Sequence, residues 1–329
     1  MKSTHRLTRS ELVLTGLCAL LGVAPVLALL AWVYRLGPFH AWFWGIGAPA
    51  LVLLGLIGFW LVRSGRESRL RTALYCGVVG GVVGVVGYDA IRIPQVLLGI
   101  RPYIPIESYG LLMLDASASS SQTELAGWVF NFCNGVGFGV SYAVVALGRR
   151  WYWAVVWAFV LETATVVTPF AVYYQLAGKW DLIAMAYLAH IAYGYPLGKI
   201  VEAGDRFRNA LRGQLPHAVP VLLGVTAVGL TVWHWPFGPS PTGASQGAAV
   251  RISNGQFAPR WVRLPLGGCA SATNADDVAY TIREAIGMPT IGPGETAGLC
   301  FEGPGVIRAR TSALPDAGGI ILVDPALAR

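Results

Sequence analysis

The sequence predicts an α-helical polytopic membrane bundle of seven transmembrane helices, followed by a small all-β sandwich. Three observations lead there. The 329 residues are 55% hydrophobic and only 12% charged, against about 25% charged in soluble domains, and mean hydropathy is +0.56. Apolar stretches of near-bilayer length recur as far as residue 237. Past residue 248 the pattern changes to short β-type runs, such as Trp261-Val-Arg-Leu and Gly319-Ile-Ile-Leu-Val, set among Gly and Pro clusters. The formal charge of +7 belongs to the loops of such a chain, and no nucleic-acid partner is expected.

Seven apolar segments can be marked, at 11–33, 40–62, 72–98, 124–147, 151–175, 180–200 and 217–237. Basic residues orient them. Lys2, Arg6 and Arg9 precede the first segment, and Arg63, Arg66, Arg69 and Arg71 separate the second from the third. Arg149 and Arg150 divide the fourth from the fifth; Lys199, Arg206, Arg208 and Arg212 divide the sixth from the seventh. The alternate side holds only Arg35, Arg92, Arg101 and Lys179. The positive-inside rule then sets the N-terminus in the cytoplasm and the C-terminal part outside. A multi-pass protein of the plasma (inner) membrane with a periplasmic or extracellular domain is expected. The first segment has no small-residue cleavage site and reads as a retained helix. The domains follow: a bundle over 1–238, a Pro/Ser/Thr/Gly linker over 239–247, and a β-domain over 248–329.

The third segment is the hub. Gly77, Gly80, Gly81, Gly84 and Gly87 recur at spacings of three and four and form a smooth stripe. Gly77/Gly81 and Gly80/Gly84 are small-xxx-small steps that let another helix approach backbone to backbone. Beyond the stripe, Asp89 and Arg92 share a face and can neutralise each other. The following loop, Arg101 to Gln122, is too long for a tight turn; it is either a functional loop or a cap over the bundle. Segment four places Asn131 and Asn134 on one face, with Gly135/Gly139 as a further close-packing step. Segment five carries Glu162 and then Thr168-Pro169; segment six carries His190 at similar depth on an antiparallel helix, so the two can meet. Trp233 and Trp235 suit an interfacial belt.

Asp89, Arg92, Asn131, Asn134, Glu162 and His190 are the residues a bilayer makes expensive. They read either as a polar pocket or proton path entered from outside, or as an internal hydrogen-bond set that fixes helix order. A metal would need more ligands than this set offers. With His190 the sole histidine in mid-membrane, a bis-His haem is excluded.

The β-part carries three pieces in order: Gln256-Phe-Ala-Pro to Gly267; Asn274-Ala-Asp-Asp-Val-Ala-Tyr-Thr-Ile; and Pro293-Gly-Glu-Thr, Phe301, Pro304-Gly305 and Gly319-Ile-Ile-Leu-Val. Their spacing resembles the cupredoxins, the plastocyanin-like sandwiches. The family's copper ligands, however, fall on Tyr280, Thr311, Leu314 and Ala317, so the resemblance implies a cupredoxin-like sandwich without copper, and no cofactor is expected. It also implies that Cys269 and Cys300 lie on neighbouring strands facing the same way, where a disulfide is permitted outside the cytoplasm. Cys18, Cys76 and Cys133 read as small packing residues. Metal-free domains of this kind occur in subunits of quinol-oxidising haem–copper oxidases. No complete catalytic set is visible. The expected function is therefore a non-catalytic subunit or accessory protein of a respiratory, photosynthetic or copper-oxygenase complex. Its partners would be other membrane subunits and the bilayer, with the sandwich used for docking. The alternative is a small-molecule or ion/proton transporter, or a membrane enzyme, using Asp89, Arg92, Glu162 and His190.

Overall fold

The computed structural model describes residues 8–64, 69–210, 248–312 and 317–326; the segment at 217–237, the linker at 239–247 and Leu314 lie outside them. Helix α1 (Arg9–Val33) begins at a reciprocal cap, in which the Thr8 hydroxyl accepts from the Glu11 N–H and the Glu11 carboxylate accepts from the Thr8 N–H. The second span, Phe39–Arg63, is built from α2 (Phe39–Trp42), one π-helical turn (Phe43–Gly47) and α3 (Ala48–Arg63). Next come α4 (Arg69–Leu97), the short α5 (Ile106–Met113) and α6 (Ser121–Ala146). Four of these elements, α1, the 39–63 span, α4 and α6, are long and apolar enough to cross a membrane.

The remaining helices depart from the simple pattern. The fifth apolar segment, expected as one piece over 151–175, is broken. Its helix α7 (Tyr152–Val167) stops after 16 residues, where Thr168 turns extended ahead of Pro169, and α8 (Pro169–Tyr173) restarts from that proline. The residue before a proline is pushed out of the helical region, which is why the break falls there. Helix α9 (Trp180–Ala203) follows, then α10 (Asp205–Ala210).

The glycines decide how these helices meet. A Cβ on Gly77 would lie 2.6 Å from the Val140 Cα, and one on Gly81 2.8 Å from the Val136 Cα, so this face of α4 is pressed against α6. Gly80, Gly84 and Gly87 point elsewhere, onto Leu197, Tyr193 and Ala192 of α9. The stripe therefore serves two neighbours and sets α4 between them. Gly22 and Gly137 join α1 to α6 in the same way, and Gly194 and Gly198 admit the start of α7 against α9. Helix α5 is the cap that the sequence left open. It is buried along its length, with Gly110 against the Thr123 carbonyl and Gly127 of α6.

The C-terminal part is a β-sandwich. One sheet runs β2 (Gln256–Ala258), β1 (Ala249–Ser253), β4 (Cys269–Asn274), β7 (Thr296–Cys300); the other runs β3 (Trp261–Leu264), β9 (Gly318–Val323), β8 (Gly305–Thr311), β5 (Tyr280–Arg283), β6 (Thr290–Ile291). Cys269 and Cys300 are directly opposite on β4 and β7 and are bridged. The sandwich is joined to the bundle at its β3 edge. Residues 117–119 add to that edge as an extra strand: Arg263 N–H donates to the Ser117 carbonyl and Ser119 N–H to the Trp261 carbonyl. Trp261 meets the Tyr103 ring edge-on, and the Tyr173 hydroxyl donates to the Val323 carbonyl at 2.7 Å. Arg263, 4% exposed, donates to Asp115 at 2.7 Å and to Asp324 at 2.9 Å.

Two expectations follow. Gly81→Leu should separate α4 from α6 and cost about 1–3 kcal/mol or more; a melting temperature and yield equal to wild type would show that the close approach is dispensable. The second concerns acid. The His40 imidazole, 3.4 Å away, and then the Arg263 guanidinium hold the Asp115 carboxyl down at about 2, although burial pushes it up. A carboxylate depressed on folding contributes stability present above its ordinary value, 3.8, and lost as pH falls through about 2. Burial pushes Asp324 the other way, so its share is present at low pH and fades as pH rises. Limited proteolysis should find the joint loosening between those two pH values, and Asp115→Asn should abolish that acid step.

Candidate functional site

The glycine stripe ends at Gly87, and the next α4 side chains are Tyr88, Asp89 and Arg92. Here the helices can no longer close on one another. They leave a cavity of about 200 Å³, walled by α1, α4, α6, α7 and α9 and roofed by the loop at 101–105, α8 and Tyr109 of α5.

Two side-chain pairs stand at its walls. Arg92 donates to Asp89 Oδ1 at 2.6 Å from one nitrogen and at 3.2 Å from Nε, while Asn131 Nδ2 donates to Asp89 Oδ2 at 2.9 Å. The Arg92 guanidinium also lies 4.2 Å from the centre of the Tyr88 ring. This triad ties α4 to α6 and is internally neutral. On the opposite wall Glu162, 3% exposed, approaches His190 Nδ1 at 3.3 Å. The same Nδ1 faces the Ala186 carbonyl at 2.9 Å. Two acceptors around Nδ1 place the proton there, which leaves Nε2 as the nitrogen able to accept. The tyrosine at 193 donates to the Gly135 carbonyl at 2.6 Å and fixes α9 to α6 beneath both pairs.

All six residues singled out in the sequence thus lie at or beside one chamber: Arg92, Asn131, Asn134, Glu162 and His190 line it, and Asp89 stands behind Arg92. Asn134 presents a buried amide oxygen with no hydrogen-bond partner among the described residues. Sequence reasoning missed Arg101 and Lys179, which also line the cavity. In the sequence both read as loop charges that orient the chain; their place in the wall depends on how the loop folds back. Chemically the site offers guanidinium, amide, phenol and a carboxylate–imidazole pair above an apolar floor. Among the described residues no three His, Cys, Asp or Glu side chains gather as a metal site.

In the sandwich, the positions aligned with copper ligands make internal contacts. The Tyr280 hydroxyl donates to Asp276 at 3.0 Å, Thr311 Oγ1 donates to the Gly255 carbonyl at 2.9 Å, and the buried Ala317 accepts from the Thr311 N–H. No protein-family model matches the chain, and no curated protein matches it. Among solved structures the chain is similar to a novel purple cupredoxin from Nitrosopumilus maritimus, at 24% identity over 23% of this chain and 99% of that one, with a TM-score of 0.21.

The Asp89–Arg92 pair is open to a double-mutant test. Asp89→Asn or Arg92→Gln alone leaves a buried charge without its partner and should cost about 3–5 kcal/mol. The two changes together should recover most of that loss in a detergent melt. A double variant that loses the sum of the two single losses would show that the charges act separately, each with another partner.

Proposed function

We propose that the protein is an integral-membrane ligand-binding protein, and that the cavity is the binding step of a transporter or membrane enzyme for an amphiphilic small molecule. The single observation that supports it is the convergence of Arg92, Arg101, Asn134, Glu162 and His190 on one chamber with an otherwise apolar wall. Ligand sites are mostly apolar with a few placed polar groups, whereas a purely structural network satisfies itself and leaves no space. In this reading the bundle has seven helices with its N-terminus in the cytoplasm. The chamber then lies in the outer half of the membrane, beneath a metal-free, cupredoxin-like sandwich that backs its roof.

A second reading, an accessory subunit of a larger membrane complex, is favoured by the apolar loop tips of the sandwich. Val278, Ile286 and Met288 stand 51%, 52% and 62% exposed, away from the joint with the bundle. Such tips suit docking to another subunit.

The two readings part on purification in a mild non-ionic detergent. The first expects a defined small molecule or lipid, about one per chain, in a solvent extract analysed by mass spectrometry. Ala186→Phe, which fills the chamber, should abolish its retention at a stability cost no larger than about 1–3 kcal/mol. Equal retention by wild type and Ala186→Phe would sink the first reading. An empty protein that migrates with fixed partner subunits would establish the second.

A further inference from the structure

One charged group of the chamber has no direct partner among the described residues. Asp89 is consumed by Arg92 and Asn131, and Glu162 is committed to His190. Arg101 is 8% exposed and lines the same cavity, yet among the described residues its guanidinium makes no hydrogen bond, ion pair or ring contact. Its charge reaches Glu162, His190, Tyr88 and Tyr109 without meeting any of them as a partner. Only its backbone is held, by the N–H donated to the Gln95 carbonyl at 3.0 Å. A buried guanidinium left alone is among the more costly arrangements in a protein, and at membrane depth long side chains usually snorkel to water instead. Arg101 instead lines the cavity, with 8% of its surface left exposed. The Tyr88 and Tyr109 hydroxyls, in the same lining, likewise make no hydrogen bond among the described residues. Donors therefore gather on this part of the lining, none of them with an acceptor of its own among the described residues.

We propose that Arg101 is the anion-reading residue of this cavity, and that its ligand is a carboxylate or phosphate carried on an apolar body. This rests on the cavity being a ligand site. The planar fork of Arg101 suits two oxygens of one anionic group, and the tyrosine hydroxyls suit the same oxygens from the side. Exposed Lys179 at the rim adds a second positive charge that favours entry of an anion. Size argues that only part of the ligand is enclosed. A chamber of about 200 Å³ is little larger than the roughly 150 Å³ cavity that holds benzene. It takes a head group and the first carbons of a chain, with the rest leaving between helices.

A fatty acid, a phospholipid and a free small anion share this chemistry, and the test separates them. Full-length protein in non-ionic detergent would be melted with oleate, with phosphatidylglycerol, with monoolein as the neutral amphiphile, and with acetate or inorganic phosphate as bare anions. Oleate or phosphatidylglycerol should raise the wild-type melting temperature well above monoolein, and the bare anions should do little. Arg101→Gln should weaken binding of the anionic amphiphile about ten- to hundredfold, and Arg101→Lys should restore part of it. Without ligand, Arg101→Gln should melt no lower than wild type, because it removes a buried charge that has no partner; a purely structural arginine would give the opposite. Equal oleate binding by wild type and Arg101→Gln would overturn the assignment. Equal protection by monoolein and oleate, unchanged in Arg101→Gln, would keep the ligand cavity and overturn its anion preference. No shift with any amphiphile or anion would remove the ligand reading itself. A full shift with inorganic phosphate alone would leave Arg101 as anion reader and overturn the apolar body.

Discussion

The backbone contact of α4 with α6 on one side and α9 on the other is the constraint on which the rest of the bundle depends. In lipid, apolar side chains gain nothing by leaving the solvent for a neighbouring helix, so association rests on close packing. Gly77 and Gly81 supply it toward α6; Gly80, Gly84 and Gly87 supply it toward α9. At each of these positions a single Cβ would enter the neighbour's backbone or side chains. Because the glycines stop at Gly87, the close approach stops there too. The bulk of Tyr88 and Arg92 holds the helices apart, and the chamber is the space that results.

That space is finished by the other end of the chain. Tyr103 lines the cavity, donates to the Tyr174 carbonyl at 2.9 Å and meets the sandwich through Trp261. Tyr174 also lines the cavity, while its neighbour Tyr173 donates to Val323 of β9. Roof and sandwich are thus held through the same few aromatic residues. The sandwich spends its β3 edge on the bundle's own 117–119 segment, which protects an edge that would otherwise be open to other strands. A ligand in the chamber and the seating of the sandwich would be felt by one another through Tyr103, Tyr173 and Tyr174.

The polar residues divide by how completely they are satisfied. The Asp89–Arg92–Asn131 triad closes on itself and fixes α4 against α6, as a structural network does. Glu162 and His190 form a pair with one imidazole nitrogen to spare. Arg101 and the Asn134 amide oxygen have no partners among the described residues. Across one chamber the polar groups run from fully satisfied to open, a difference that residue type alone does not reveal.

Much of this was legible beforehand. Composition and apolar length fixed a membrane-capable bundle, because a bilayer imposes a length on any helix that crosses it. The change of period past residue 248 marked the sandwich, and the resemblance carried there placed Cys269 opposite Cys300. Helical spacing put Asp89 beside Arg92, since residues three apart share a face. What stayed hidden was every relation between distant residues: that the glycines face two neighbours, that Thr168-Pro169 divides the fifth segment, that 117–119 completes the β3 edge. Arg101 shows the reason most clearly. In the sequence it is one charge in a loop. Only the fold, by burying it at the chamber wall, leaves it without a partner among the described residues.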